Sequence, residues 1–103
     1  MNLQYVAHPF TGDTFSNKYE VEQIIKQLVA NYPDTAFISP IHTFGYLDGH
    51  ITYDKSLDLC TSLLERCDGL ILTGNWETSR GCGMERMFAD SHGIKITEGW
   101  EWL

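Results

Sequence analysis

The chain has 103 residues, 43% of them hydrophobic and 13% aromatic, which fits one folded domain with a single core and leaves no room for a separate catalytic module. Fourteen acidic against seven basic side chains give a formal charge of -7 without any lysine or arginine cluster, which argues against a polymeric nucleic-acid partner. No run of about 18 apolar residues exists to span a membrane, and the start, Met1 to Val6, lacks the basic and long apolar segments of a secretory signal, so a soluble, cytoplasmic protein is expected.

In chain order, Leu3 to Ala7 reads as a buried strand of the parallel type and is followed by a turn, His8-Pro9-Phe10-Thr11-Gly12-Asp13. A helix is predicted over about Asn17 to Asn31, with Val21, Ile24, Ile25, Leu28 and Val29 at helical spacing and Pro33 as its stop. Ala36 to Ser39 is the second strand, and the stretch Ser39 to Gly45 follows it. The second helix, about Tyr53 to Arg66, turns Cys60, Leu63, Leu64 and Cys67 inward. Cys60 and Cys67 lie roughly 10 Å apart along a helix axis, too far for a disulfide, so both are expected as small buried groups. Leu70 to Thr73 is the third strand and runs into the glycine-rich segment Gly74 to Gly83. A third helix, about Gly81 to Ser91, uses Met84, Met87 and Phe88, and Gly93 caps it before a last strand, Ile94 to Thr97. Trp100 and Trp102 stand in an otherwise polar tail, which points to packing against the sheet or against a partner subunit.

This alternation predicts an α/β fold: a four-stranded parallel sheet in order 2-1-3-4 with helices on both faces, because strand-helix-strand crossovers are short and right-handed. The order reverses between the first and third strands. The turns after those two strands therefore face each other across one crevice at the carboxyl edge, where such sheets bind ligands.

Within that crevice Glu85 is the leading candidate. A carboxylate near the start of a helix is stabilised as an anion by the helix dipole, so Glu85 is expected to be ionised at neutral pH and able to attack or stabilise an anomeric carbon. The same dipole fills helix starts with surface glutamates, so the residue alone does not assign the site. Ser79 offers a hydroxyl, and Gly81 and Gly83 admit close backbone approach, a combination suited to a phosphate at a helix N-terminus. Ser79 or Thr78 as a plain helix cap is the competing reading. Arg80 adds a nearby positive charge or faces solvent. From the first turn, Tyr5, His8, Phe10, Thr11 and Gly12 are candidates to hold a base or orient Glu85, although a tyrosine within a buried strand is more often core. His42 lies on the same edge, as a ligand contact or as a structural strand cap. His8, His42, His50 and His92 show no metal-ligand spacing, and neither a metal nor another cofactor is expected.

Four segments carry a resemblance: Tyr5-Val6-Ala7-His8-Pro9-Phe10-Thr11-Gly12, Ile38-Ser39-Pro40-Ile41-His42, Cys67-Asp68-Gly69-Leu70-Ile71-Leu72, and Trp76 with Ser79-Arg80-Gly81-Cys82-Gly83-Met84-Glu85. On them the chain resembles the nucleoside 2-deoxyribosyltransferase-like superfamily, in particular its small bacterial and phage members grouped as a domain of unknown function. The resemblance implies a flavodoxin-like three-layer sandwich in which the residue matching Glu85 is the nucleophile that releases the base, assisted by a tyrosine matching Tyr5. Members that act on nucleoside 5'-monophosphates carry a serine where Ser79 stands, which implies a nucleotide ligand and hydrolysis of its N-glycosidic bond. The chain departs from that pattern at Pro9 and Thr11, where those hydrolases have a serine and an arginine. It departs again at Cys60, where the family has an aspartate, leaving Asp58 or Asp54 as substitutes. Family members commonly complete the site with a neighbour's C-terminal residues, which implies a homodimer with Trp100 and Trp102 near the interface. The alternatives are a non-catalytic binder that sequesters or senses a nucleotide-derived molecule, and a structural subunit docking through its tail.

Overall fold

Strands β1 (Asn2–Ala7), β2 (Thr35–Ile38), β3 (Gly69–Leu72) and β4 (Lys95–Glu98) pair in parallel in the order β2-β1-β3-β4. The sheet is crossed by helices α1 (Thr14–Asn31), α2 (Pro40–Phe44), α3 (Tyr53–Leu64) and α4 (Arg80–Ser91). The computed structural model describes residues 1–100. Tyr5 faces Ile38 on one side and Leu70 on the other, so β1 and β3 are the central strands. The predicted order is thus observed, and the fold is a flavodoxin-like three-layer arrangement.

Strand alternation sorts the core into two halves. Tyr5, Ala7, Leu70 and Leu72 point to one face and pack with Leu64, Cys67, Cys82 and Ala89; Val6 and Ile71 point to the other and pack with Val21, Ile24, Leu28 and Ile41. Each leucine, isoleucine or valine among them, once fully buried, contributes about 1.5–3 kcal/mol of transfer free energy. Polar groups lock the central pair at both ends. Asp68 accepts from the Leu3 N–H at 2.7 Å while its own N–H donates to the Leu3 carbonyl, also at 2.7 Å. At the carboxyl edge the Thr73 hydroxyl and N–H both donate to the Ala7 carbonyl, at 2.8 and 2.9 Å.

Several element expectations are corrected. Helix α1 begins at Thr14, earlier than Asn17, because the Asp13 carboxylate caps it by accepting from the Ser16 N–H at 3.0 Å. Val29, expected inward, is 52% exposed, since the buried stripe is Val21, Ile24 and Leu28. Helix α3 ends at Leu64, so Cys67 lies beyond it, buried against the core; all three cysteines are free thiols. Within the stretch after β2, Ser39 caps the short helix α2 with Pro40 in its first turn, and a 3-10 turn, Gly45–Leu47, continues it. In α4 the expected inward residues Met84 and Met87 are exposed and Phe88 is half-buried, while Cys82, Glu85 and Ala89 form the buried face. A glutamate inside that stripe disguised it. Trp100 packs on the half of the core around Val6 and Ile71, so it covers its own domain; Trp102 lies outside the described residues. No described helix is long and apolar enough to cross a membrane.

Candidate functional site

A cleft of about 340 Å³ opens at the carboxyl edge of the sheet. Its lining includes His8, Phe10 and Thr11 from the turn after β1, and Ser79, Gly81, Cys82 and Glu85 from the start of α4. The two turns thus meet across one crevice, as the strand order requires. A third wall comes from the β2–α3 connection and α3 itself, through residues that include Ile41, Phe44, Leu47, Asp48, Ile51, Tyr53 and Cys60.

Glu85 lines this cleft while being only 7% exposed. Its Oε2 accepts a hydrogen bond from the hydroxyl of Tyr5, which is fully buried behind it in β1. Two expectations about Glu85 fail. It sits in the second turn of α4, whose first turn holds no acidic residue, beyond the reach at which helix-end charges act most strongly. It is also not fully ionised at neutral pH: burial raises its carboxyl to about 7, and the Tyr5 hydrogen bond pulls it back only in part. Tyr5 is raised well above the usual phenol range, first by burial and then by the adjacent Glu85. Burial likewise pushes Cys60 up to about 11 and Cys82 up to about 12, so both thiols flanking the carboxyl are neutral near pH 7. The centre of the cleft is a proton-holding carboxyl in weakly polar surroundings.

Ser79 plays the cap role and also reaches the cleft. Its Oγ accepts from the Cys82 N–H at 3.2 Å, and the loop before it forms a 3-10 turn, Trp76–Thr78, whose Thr78 hydroxyl donates to the Asn75 carbonyl. Arg80 is exposed and lays its guanidinium over the Tyr53 ring, 4.4 Å from the centroid. Tyr53 is a wall residue, so Arg80 stands at the rim without lining the cleft. His8 is buried, with Nδ1 2.7 Å from the Pro9 carbonyl oxygen and Nε2 3.0 Å from a Glu20 oxygen on α1. Gly74 leaves room for this ring: φ is +62° there, and a Cβ would stand 2.7 Å from His8 Nε2.

The other candidates fall elsewhere. His42 is turned away from the cleft, with Nδ1 2.7 Å from Ser39 Oγ and Nε2 2.6 Å from Glu22, a chain that closes the start of α2 and holds the Glu22 carboxyl below its usual range. Asp58 is exposed on α3 and does not line the cleft, and the same holds for Asp54. Cys60 is the α3 residue that does. Trp76 packs against the core half around Tyr5, under Arg86, instead of reaching the cleft. Gly12 is exposed with φ +97°, and neither it nor Gly83 lines the cleft. Asp48, Phe44, Leu47 and Ile51 were not singled out from the sequence. Their only sequence signal is position, since any segment leaving a strand at the carboxyl edge is placed to build the site. Among the described residues no group of three or more His, Cys, Asp or Glu side chains is arranged to hold a metal ion.

Comparisons with curated proteins and with solved structures return no match. The family model described as Domain of unknown function (DUF4406) matches residues 2–98, nearly the whole chain and all four strands, and the chain belongs to that family.

Proposed function

We propose that this protein cleaves the N-glycosidic bond of a nucleoside or deoxynucleoside 5'-monophosphate, with Glu85 as the nucleophile. The observation that carries this reading is the Glu85 carboxyl itself, buried at the cleft, held by one hydrogen bond from Tyr5 and accessible from a cavity of about 340 Å³, a volume in the range of small-molecule sites. The sequence resemblance to the nucleoside 2-deoxyribosyltransferase-like superfamily supports it further. In its ionised form Glu85 attacks the anomeric carbon; the bond to the base breaks, and the base leaves with the electron pair and takes a proton from water. Water then hydrolyses the glycosyl ester, returning the carboxylate and the free sugar phosphate. Tyr5 fixes the carboxyl and shares its charge as it ionises. The hydroxyl of Ser79 and the backbone at Gly81, both on the cleft at the start of α4, suit the phosphate.

The test is release of free base from a panel of ribo- and deoxynucleoside monophosphates, followed by chromatography. Base release by the wild type and its loss in Glu85→Ala supports the assignment; a wild type indistinguishable from Glu85→Ala on every member removes it. A second reading is favoured by one observation: α3 presents Cys60 to the cleft and leaves Asp58 outside. With no carboxylate there to handle a proton, the cleft would hold a nucleotide-derived molecule without turnover. Calorimetric binding with intact ligand recovered after denaturation supports that reading, and cleaved ligand refutes it.

A further inference from the structure

The charged and imidazole groups at or beside the cleft are, with one exception, already engaged inside the protein. Glu85 is held on Tyr5, both ring nitrogens of His8 have partners, and Arg80 is stacked on Tyr53. Asp48 differs. It lines the cleft while remaining exposed, which puts it at the mouth, whereas buried Glu85 lies deep. Its backbone is fixed, because its N–H donates to the Gly45 carbonyl at 3.0 Å in the 3-10 turn. None of the ion pairs among the described residues involves its carboxylate.

We propose that Asp48 is the specificity-determining residue of the cleft, accepting a hydrogen bond from an N–H or amino group on the ring system of the bound molecule. This inference rests on the nucleoside reading of the site. The neighbouring walls, Phe10, Phe44 and Ile51, offer apolar surface to a flat ring. Such surface binds rings of similar size almost equally and leaves discrimination to polar groups. An ionised carboxylate only accepts hydrogen bonds. A ring that presents a donor completes it, whereas a ring without one covers the carboxylate and leaves it unpaired. That difference is worth about tenfold or more in affinity, because the unsatisfied partner is charged.

Two ligand pairs isolate the contact: adenosine 5'-monophosphate against purine riboside 5'-monophosphate, which lacks the amino group, and thymidine 5'-monophosphate against its N3-methyl derivative. Dissociation constants are measured by calorimetry on the intact protein, on Asp48→Ala and on Asp48→Asn, with circular dichroism confirming that each variant is folded. The wild type should favour the donor member of at least one pair by about tenfold. Asp48→Ala should bring that ratio close to one, and Asp48→Asn should keep part of it through the amide oxygen. Retention of the wild-type ratio by Asp48→Ala overturns the assignment, as does a wild type that binds both members equally. A wild type that binds no member of either pair overturns the role of Asp48, whereas the nucleoside reading stands or falls separately on base release from the wider nucleotide panel.

Discussion

Replacing Glu85 by glutamine keeps the size of the side chain and an oxygen to accept from Tyr5, but removes the ability to ionise. In the wild type the unfolded chain releases the Glu85 proton near its ordinary 4.5, whereas the folded protein keeps it until about 7. Between those values the folded state binds more protons than the unfolded state, so stability falls as pH rises. Below about 4.5 both states are protonated and the penalty vanishes; above about 7 both are ionised and it is constant. The gap between 4.5 and about 7 converts to roughly 3 kcal/mol, a large share of the 5–15 kcal/mol typical of a domain. Glu85→Gln should therefore be more stable than the wild type by about 3 kcal/mol at pH 8, with the advantage shrinking to about 1 kcal/mol or less at pH 5. Urea unfolding of both proteins at several pH values measures this directly, because every other titrating group is common to the two and cancels in the difference. A difference that stays constant from pH 5 to pH 8 would show that the carboxyl is not held protonated by burial, and the account of the site's electrostatics would be wrong.

If Glu85 is the nucleophile, base release should require its ionised form, so kcat/KM should rise about tenfold between pH 6 and pH 8. A rate that falls over that interval would make Glu85 a proton donor instead. Gly74→Ala places a Cβ against His8 at a backbone φ of +62° and should destabilise the fold by at least 1–2 kcal/mol, roughly the left-handed backbone penalty alone; an unchanged urea midpoint would refute the packing of the two turns. Leu70→Ala empties a fully buried position at the centre of the sheet and should cost about 2–5 kcal/mol in the same assay, whereas a cost under 1 kcal/mol would mean that the site collapses onto the cavity.

The four strands, the three long helices between them, the strand order and the meeting of the two cleft turns were determined by the sequence alone, whereas the short helix α2 was not. Runs such as Leu70-Ile71-Leu72 and stripes such as Val21, Ile24 and Leu28 express local periodicity, and the handedness of crossovers leaves few ways to join them. Glu85, Tyr5, Ser79 and Gly81 were legible as candidates for the same reason, since each occupies a turn or a strand that this topology brings to the carboxyl edge. Local rules failed where a residue's neighbours come from distant segments. The buried face of α4 was misread because Glu85 lies in it, and only the arrival of Tyr5 from β1 explains why a carboxyl is tolerated there. Its charge state followed the same division: a place near a helix start predicts an anion, but burial raises the carboxyl to about 7. The inward turn of Cys60 was readable from helical spacing, but His42 turns toward Glu22 and Asp48 reaches the mouth, because the direction of a side chain in a short connection is set by packing against other elements and leaves no trace in local spacing.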